Sequence, residues 1–103
     1  MPFDDTYELL ADLYDDDSYP KRDVDRLVKA LRRAVKSLEK GKRDAAAVRA
    51  AFAPLAEEAK AVSADLQSAG VELDTDVLAA DVLYILEWYD LDVDVEDIMA
   101  QIG

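Results

Sequence analysis

The sequence has no cysteine and no histidine, only three glycines and three prolines, and no Lys or Arg in its first 20 or last 43 residues. Without Cys there is no disulfide framework, no thiol nucleophile and no thiolate metal site. Without His the commonest general acid/base and the commonest transition-metal ligand are missing. No apolar run approaches the roughly 20 residues needed to span a bilayer. The opening "MPFDDTYELL" has neither a basic n-region nor an apolar h-region, so no secretory signal is expected. No Ser/Gly-rich linker, low-complexity tract or internal repeat divides the chain, which predicts one domain over residues 1–103.

What is present is half apolar (51%) and one third charged (35%), the composition of a globular chain with one modest core. Its net charge is −12, and the charge is unevenly placed. Residues 1–20 hold seven acids, residues 61–103 hold eleven, and all twelve bases fall between Lys21 and Lys60. Such a chain repels nucleic-acid phosphates and anionic lipid, so neither nucleic acid nor membrane is an expected partner. It attracts basic proteins and speeds their association. The plain alternative is that the acids serve solubility.

Periodicity and turn residues divide the chain into helices. The first is expected at about Thr6–Asp15, with Asp5 and Glu8 at capping-box spacing and Phe3, Tyr7, Leu10 and Tyr14 at helical intervals. "DDDSYP" then favours a turn. In the second helix Val24, Leu27, Val28, Leu31, Val35 and Leu38 make an apolar stripe, opposite Arg26, Lys29, Arg32, Arg33 and Lys36. Pro20 suits its first turn and Gly41 its end. A third helix starts at Asp44 and runs its stripe (Val48, Phe52, Leu55, Ala59, Val62, Leu66) through Pro54 without a change of phase. That predicts one kinked helix rather than two, closed by Gly70. The fourth, about Thr75–Tyr89, is apolar almost all round and is expected to be the central, most buried element. "VEDIMAQI" forms a short closing helix. The predicted fold is all-α: an antiparallel four-helix bundle with a short fifth C-terminal helix, and helix four surrounded by helices one to three.

"YDLDVDVED" (89–97) resembles a calcium loop because Asp90, Asp92 and Asp94 alternate. From Asp90, however, the sixth position is Val95 rather than Gly, and the twelfth is Gln101 rather than a bidentate Glu. A helix junction explains the same residues: Asp94 caps, Glu96 and Asp97 lie in the first turn, and Leu91, Val93 and Val95 pack inward. Ser18 in "DDDSYP" invites comparison with the phosphopantetheine serine of acyl carrier proteins. It follows only one short helix and precedes a basic one, so a turn is the better reading. Asp81 and Glu87 lie on the apolar fourth helix, where a buried acid acts as a general acid or, more often, bonds a tyrosine or pairs with another helix. Tyr84 and the Arg residues of helix two are the candidate partners. With no His, Cys or Gly-rich phosphate loop, the companions of an active site are missing, and no enzyme is expected. Trp88 is read as core, whereas Tyr19 is the aromatic placed at an interface, with a lid over the helix ends as the alternative.

The ordered set "YELLADLYDDDSYP", "VDRLVKALRRAV", "LQSAGVELDTD" and "VDVEDIM" resembles a family of small acidic helical bacterial proteins known only as a domain of unknown function. The resemblance implies a bacterial, cytoplasmic, all-helical domain and carries no functional residue. Small acidic helical domains without His or Cys also resemble nuclease-immunity proteins and protein mimics of nucleic acid. The expected function is therefore a non-enzymatic acidic protein-interaction module, in its most concrete form an immunity- or antitoxin-like inhibitor, needing no cofactor. Its surface is expected to be Asp12, Asp15, Asp16 and Asp17 joined with Asp90, Asp92 and Asp94 around a Tyr19 anchor, facing a basic protein. Alternatives are a housekeeping helical domain, monomeric or homodimeric through its basic helix, and a carboxylate-dependent metal-binding protein.

Overall fold

The computed structural model describes residues 3, 6–41 and 43–102. They form five helices and no strand: α1 (Ala11–Asp15), α2 (Lys21–Lys40), α3 (Ala45–Ser68), α4 (Thr75–Trp88) and α5 (Val95–Met99). The fold is all-α, as expected, and its long helices pack on one another.

α2 and α3 are paired along their length. Val24, Leu27, Leu31, Val35 and Leu38 of the predicted α2 stripe are buried and Val28 is half-buried. All six predicted stripe residues of α3 are buried opposite them. Alanines at 30, 34, 51 and 59 fill the interface, where small side chains let two helices approach closely. α3 is continuous through Pro54, which lies on its exposed side, where the hydrogen bond a proline cannot donate is least costly to lose. Asp44 caps α3 by accepting the Ala47 N–H at 2.8 Å. α2 ends where the Gly41 N–H donates to the Ser37 carbonyl at 2.9 Å. A Cβ on Gly41 would stand 3.0 Å from that oxygen, so close approach is what favours glycine there.

Two helices end in the same motif with different residues. After α3, Gly70 at φ 76° is the left-handed residue, and the Gly70 and Val71 amides return to Gln67 O and Leu66 O. After α4, Asp90 takes the same role at φ 53°, with Asp90 and Leu91 amides returning to Glu87 O and Leu86 O. Asp94 then caps α5 by accepting the Glu96 N–H at 3.1 Å. The alternating aspartates are thus the end of one helix and the start of the next.

Two expectations need correction. The first helix begins at Ala11 rather than Thr6, because Leu10 adopts the left-handed conformation (φ 57°, ψ 33°) and residues 6–10 are turns. The expected cap residue Asp5 lies outside the described residues. The inward residues were nevertheless correct: Leu10 is fully buried, and Phe3, Tyr7 and Tyr14 pack against the core. Helix four is not enclosed on all sides. Leu78, Asp81, Val82, Ile85 and Leu86 are buried, but Leu83 is 42% exposed, and Asp76, Ala80 and Glu87 share its open side. Its circumference is apolar because a second, aromatic layer covers part of it: Tyr84 and Trp88 are half-buried under Phe3 and Tyr7.

Candidate interaction surface

The turn "DDDSYP" is held by its own residues and by a distant loop. Asp16 accepts the Ser18 N–H at 2.9 Å, the Asx geometry that lets an acid replace a backbone turn bond. Tyr19 is not an exposed anchor: it is 9% exposed and belongs to the core. Its hydroxyl donates to the Glu72 carbonyl at 2.6 Å and accepts the Asp74 N–H at 3.0 Å. The lid over the helix ends is the reading that fits, because a ring this apolar gains more from burial than from water once its hydroxyl has two partners. Tyr19 thereby fastens the α1–α2 turn to the α3–α4 loop. Asp15, Asp16 and Asp17 on one side and Glu72, Asp74 and Asp76 on the other are all exposed at this end.

Asp90, Asp92 and Asp94 are exposed at the other end. The Tyr89 hydroxyl donates to Glu39 at 3.0 Å, and the Arg43 guanidinium lies over the Tyr89 ring at 4.9 Å. The C-terminus of α4 therefore sits at the C-terminus of α2, whereas the aspartate turn leads into the N-terminus of α2. The 20-residue α2 sets these ends about 30 Å apart, along a molecule 39 Å in its longest dimension. The expected single patch joining Asp15–Asp17 to Asp90–Asp94 does not form, because the first cluster precedes the N-terminus of α2 and the second follows the end of α4 at the C-terminus of α2. Asp12, three residues before Asp15 on α1, lines a shallow recess of about 220 Å³ beside Tyr7 and Asp81.

That recess borders the one buried carboxylate of α4. Asp81, 4% exposed, accepts the Tyr7 hydroxyl and the Leu10 N–H, each at 2.5 Å. It anchors the start of α1 from 71 residues away by accepting the backbone N–H of Leu10, the residue that precedes the helix. Burial raises the Asp81 pKa despite these two donors, and burial with the Asp81 hydrogen bond raises that of Tyr7. Tyr84, a candidate partner for Asp81 in sequence, instead stacks on Tyr7 at 3.9 Å. Glu87, the other acid of this helix considered for burial, is exposed. Sequence signalled Asp81 only as a lone charge in an apolar run; its partners come from a segment that no periodicity links to α4.

Several half-buried and exposed charged groups also have fixed partners. Arg26 pairs with Asp23 (3.2 Å), Glu58 (2.6 Å) and Asp65 (2.7 Å), tying α2 to α3, and the hydrogen bonds to Asp65 and Glu58 hold its pKa high. Glu39 accepts the Tyr89 hydroxyl and the Phe3 N–H, and those donors lower its pKa. Tyr14 donates to Asp25; burial and that bond push its pKa up to about 12. Among the described residues no group of three or more acids is arranged to hold a metal ion, and no helix is long and apolar enough to cross a membrane.

The comparisons with known proteins add a family and no chemistry. The chain belongs to the family described as "Family of unknown function (DUF5713)", which matches residues 3–102. No curated protein and no solved structure matches it.

Proposed function

We propose that this protein is a non-enzymatic acidic protein-interaction module whose acidic pole engages a basic protein partner. The observation that carries the reading is the double hydrogen bond of Tyr19, which holds two acidic loops side by side on a buried support. Neither loop contains a base, so their acids outnumber the nearby cations: Lys21 and Arg22 open α2 just after the first loop, and Lys60 lines a recess with Glu72. A rigid acidic surface steers a basic partner and discriminates against acidic ones. An immunity- or antitoxin-like inhibitor, covering a basic functional surface of its target, is the concrete form of this role. The buried carboxylates serve the architecture: Asp81 holds the Leu10 N–H at the start of α1 and Asp23 pairs with Arg26. We take the protein to work in the bacterial cytoplasm, which suits a Cys-free chain, and to be monomeric when alone.

The test is affinity capture from a bacterial lysate at low and high salt, with the parent and an Asp15→Asn, Asp17→Asn, Glu72→Gln, Asp76→Asn variant. These four are chosen because Asp16 and Asp74 cap turns and their loss would confound the result. A basic protein retained by the parent at low salt and lost by the variant supports the reading. Equal behaviour of the two proteins sinks it.

A further inference from the structure

The outer face of α2 has a pattern that the acidic pole does not explain. Arg22, Arg26, Lys29, Arg33, Lys36 and Lys40 recur at steps of four and three, a single basic stripe along a helix with the opposite face in the core. At the helical rise it is about 27 Å long. All six are exposed except Arg26, which is half-buried. Arg26 has three carboxylate partners, yet Lys29, Arg33 and Lys36 take part in no ion pair among the described residues. Like charges at these spacings repel one another, and the molecule has a twofold excess of acid with which to neutralise them. Beside the stripe runs a shallow groove of about 120 Å³, bordered by Arg26, Lys29 and Arg33 on α2 and by Pro54 and Glu58 on α3, the Glu58 carboxylate being paired with Arg26. Ala30 and Pro54 are short there, so another backbone can come close between the long cations.

We infer that this face of α2 docks an acidic helical segment of a protein partner. The sign follows from charge complementarity with the unpaired cations. The helical form follows from the stripe, whose straight three-and-four spacing is matched by carboxylates at the same spacing on a second helix. The length follows from the poles. A long polyanion such as a nucleic-acid strand runs past both ends of α2 into the fields of Asp15–Asp17 and Asp90–Asp92, whereas a segment of about 18 residues ends where the stripe ends. The surface is distinct from the acidic pole and independent of that proposal; together the two would make a connector between partners of opposite charge.

The experiment uses the full chain and a labelled synthetic helical peptide of 18 residues with Glu at alternating four-and-three spacing, read by fluorescence anisotropy at low salt. Two controls are a peptide of the same composition with its Glu positions scrambled and a single-stranded oligonucleotide of equal charge. The patterned peptide is expected to bind at least about tenfold more tightly than either control, a difference well within what spacing-matched charge pairs supply. Lys29→Gln, Arg33→Gln, Lys36→Gln together should abolish that preference while the circular dichroism spectrum stays helical. Lys29→Ala alone should weaken binding by a smaller factor in a protein whose fold is not at risk. No binding, equal binding of the scrambled peptide, tighter binding of the oligonucleotide, or full binding by the triple variant overturns the inference. Concentration-dependent dimerisation that the triple variant loses, without peptide binding, also overturns it and makes the occupant a second copy of the chain.

Discussion

Asp81 and Asp90 are two aspartates on the same stretch of chain that spend their free energy in opposite ways. Asp81 supplies a buried oxygen to two donors, the Tyr7 hydroxyl and the Leu10 amide. Replacing it with Ala leaves both donors without a partner in the interior and is expected to cost about 2–4 kcal/mol by chemical denaturation. Asp81→Asn keeps an acceptor for the Leu10 N–H and offers an NH₂ to the Tyr7 oxygen, so it should cost much less. The pH dependence separates the two further. Because the folded-state pKa of Asp81 is raised, chiefly by burial, the folded protein favours its protonated form. The associated stability is fully present below the unfolded-state value and is lost as pH rises through the folded-state value. The stability difference between parent and Asp81→Asn should therefore shift against the parent as pH rises across that window; a difference flat in pH would mean that Asp81 titrates alike in the folded and unfolded states. Glu39 has the opposite sign, since its lowered pKa makes its contribution vanish as pH falls through the folded-state value. Asp90 holds a left-handed backbone with φ 53°. A non-glycine residue there costs about 1 kcal/mol. Asp90→Gly should stabilise the protein by roughly that amount in equilibrium unfolding, since the equivalent position after α3 is already Gly70.

At the scale of elements, α2, α3 and α5 were legible because everything that defines them is local. Asp44 and Asp94 are acids just before a helix and do cap it, and the stripes from Val24 to Leu38 and from Val48 to Leu66 are buried as their spacing requires. α1 was misread for the converse reason. Its start is set by the Leu10 amide reaching Asp81, a contact across 71 residues that no local pattern encodes. The candidate surface failed in the same way. Each acidic run was visible in sequence, but which runs meet depends on one hydroxyl, that of Tyr19, joining residues 53 and 55 positions away. Tyr19→Phe tests that joint. It keeps the ring in the core but leaves the Asp74 N–H without its acceptor and the Glu72 carbonyl without its donor, in a partly buried setting. The expected cost is about 1–2 kcal/mol. Hydrogen exchange should quicken at the Asp74 amide while the amides in the middle of α2 and α3 keep their protection. If stability and exchange are unchanged, the two loops are held together by something other than Tyr19.

For the whole molecule the deciding quantity is the balance between local pairing and global repulsion. Acids crowd the two poles of a molecule of net charge −12, and between them α2 carries a basic stripe whose Lys29, Arg33 and Lys36 take part in no ion pair among the described residues. Local pairing is confined among the described residues to Arg26 with its three carboxylates and to Arg49 with Asp97 at 3.4 Å. Arg49 and Asp97 are both more than half exposed, and such a pair contributes about 0–1 kcal/mol before screening. Salt weakens these attractions, but it also screens the repulsion among carboxylates that lie a few ångströms to a few tens of ångströms apart, and the Debye length at 0.15 M is only about 8 Å. With twice as many acids as bases, the repulsive pairs outnumber the attractive ones. Raising NaCl from low to moderate concentration should therefore raise the thermal midpoint of the isolated protein, by about 4–8 °C for each 1 kcal/mol of repulsion removed in a domain of this size. The same change should weaken any partner that docks by charge at a pole or on α2, so stability and binding are expected to respond to salt with opposite signs. A thermal midpoint that falls with salt would place the controlling charge in the Arg26 cluster, and Arg26→Met, which leaves Asp23, Glu58 and Asp65 without their shared cation, would then make the midpoint rise with salt.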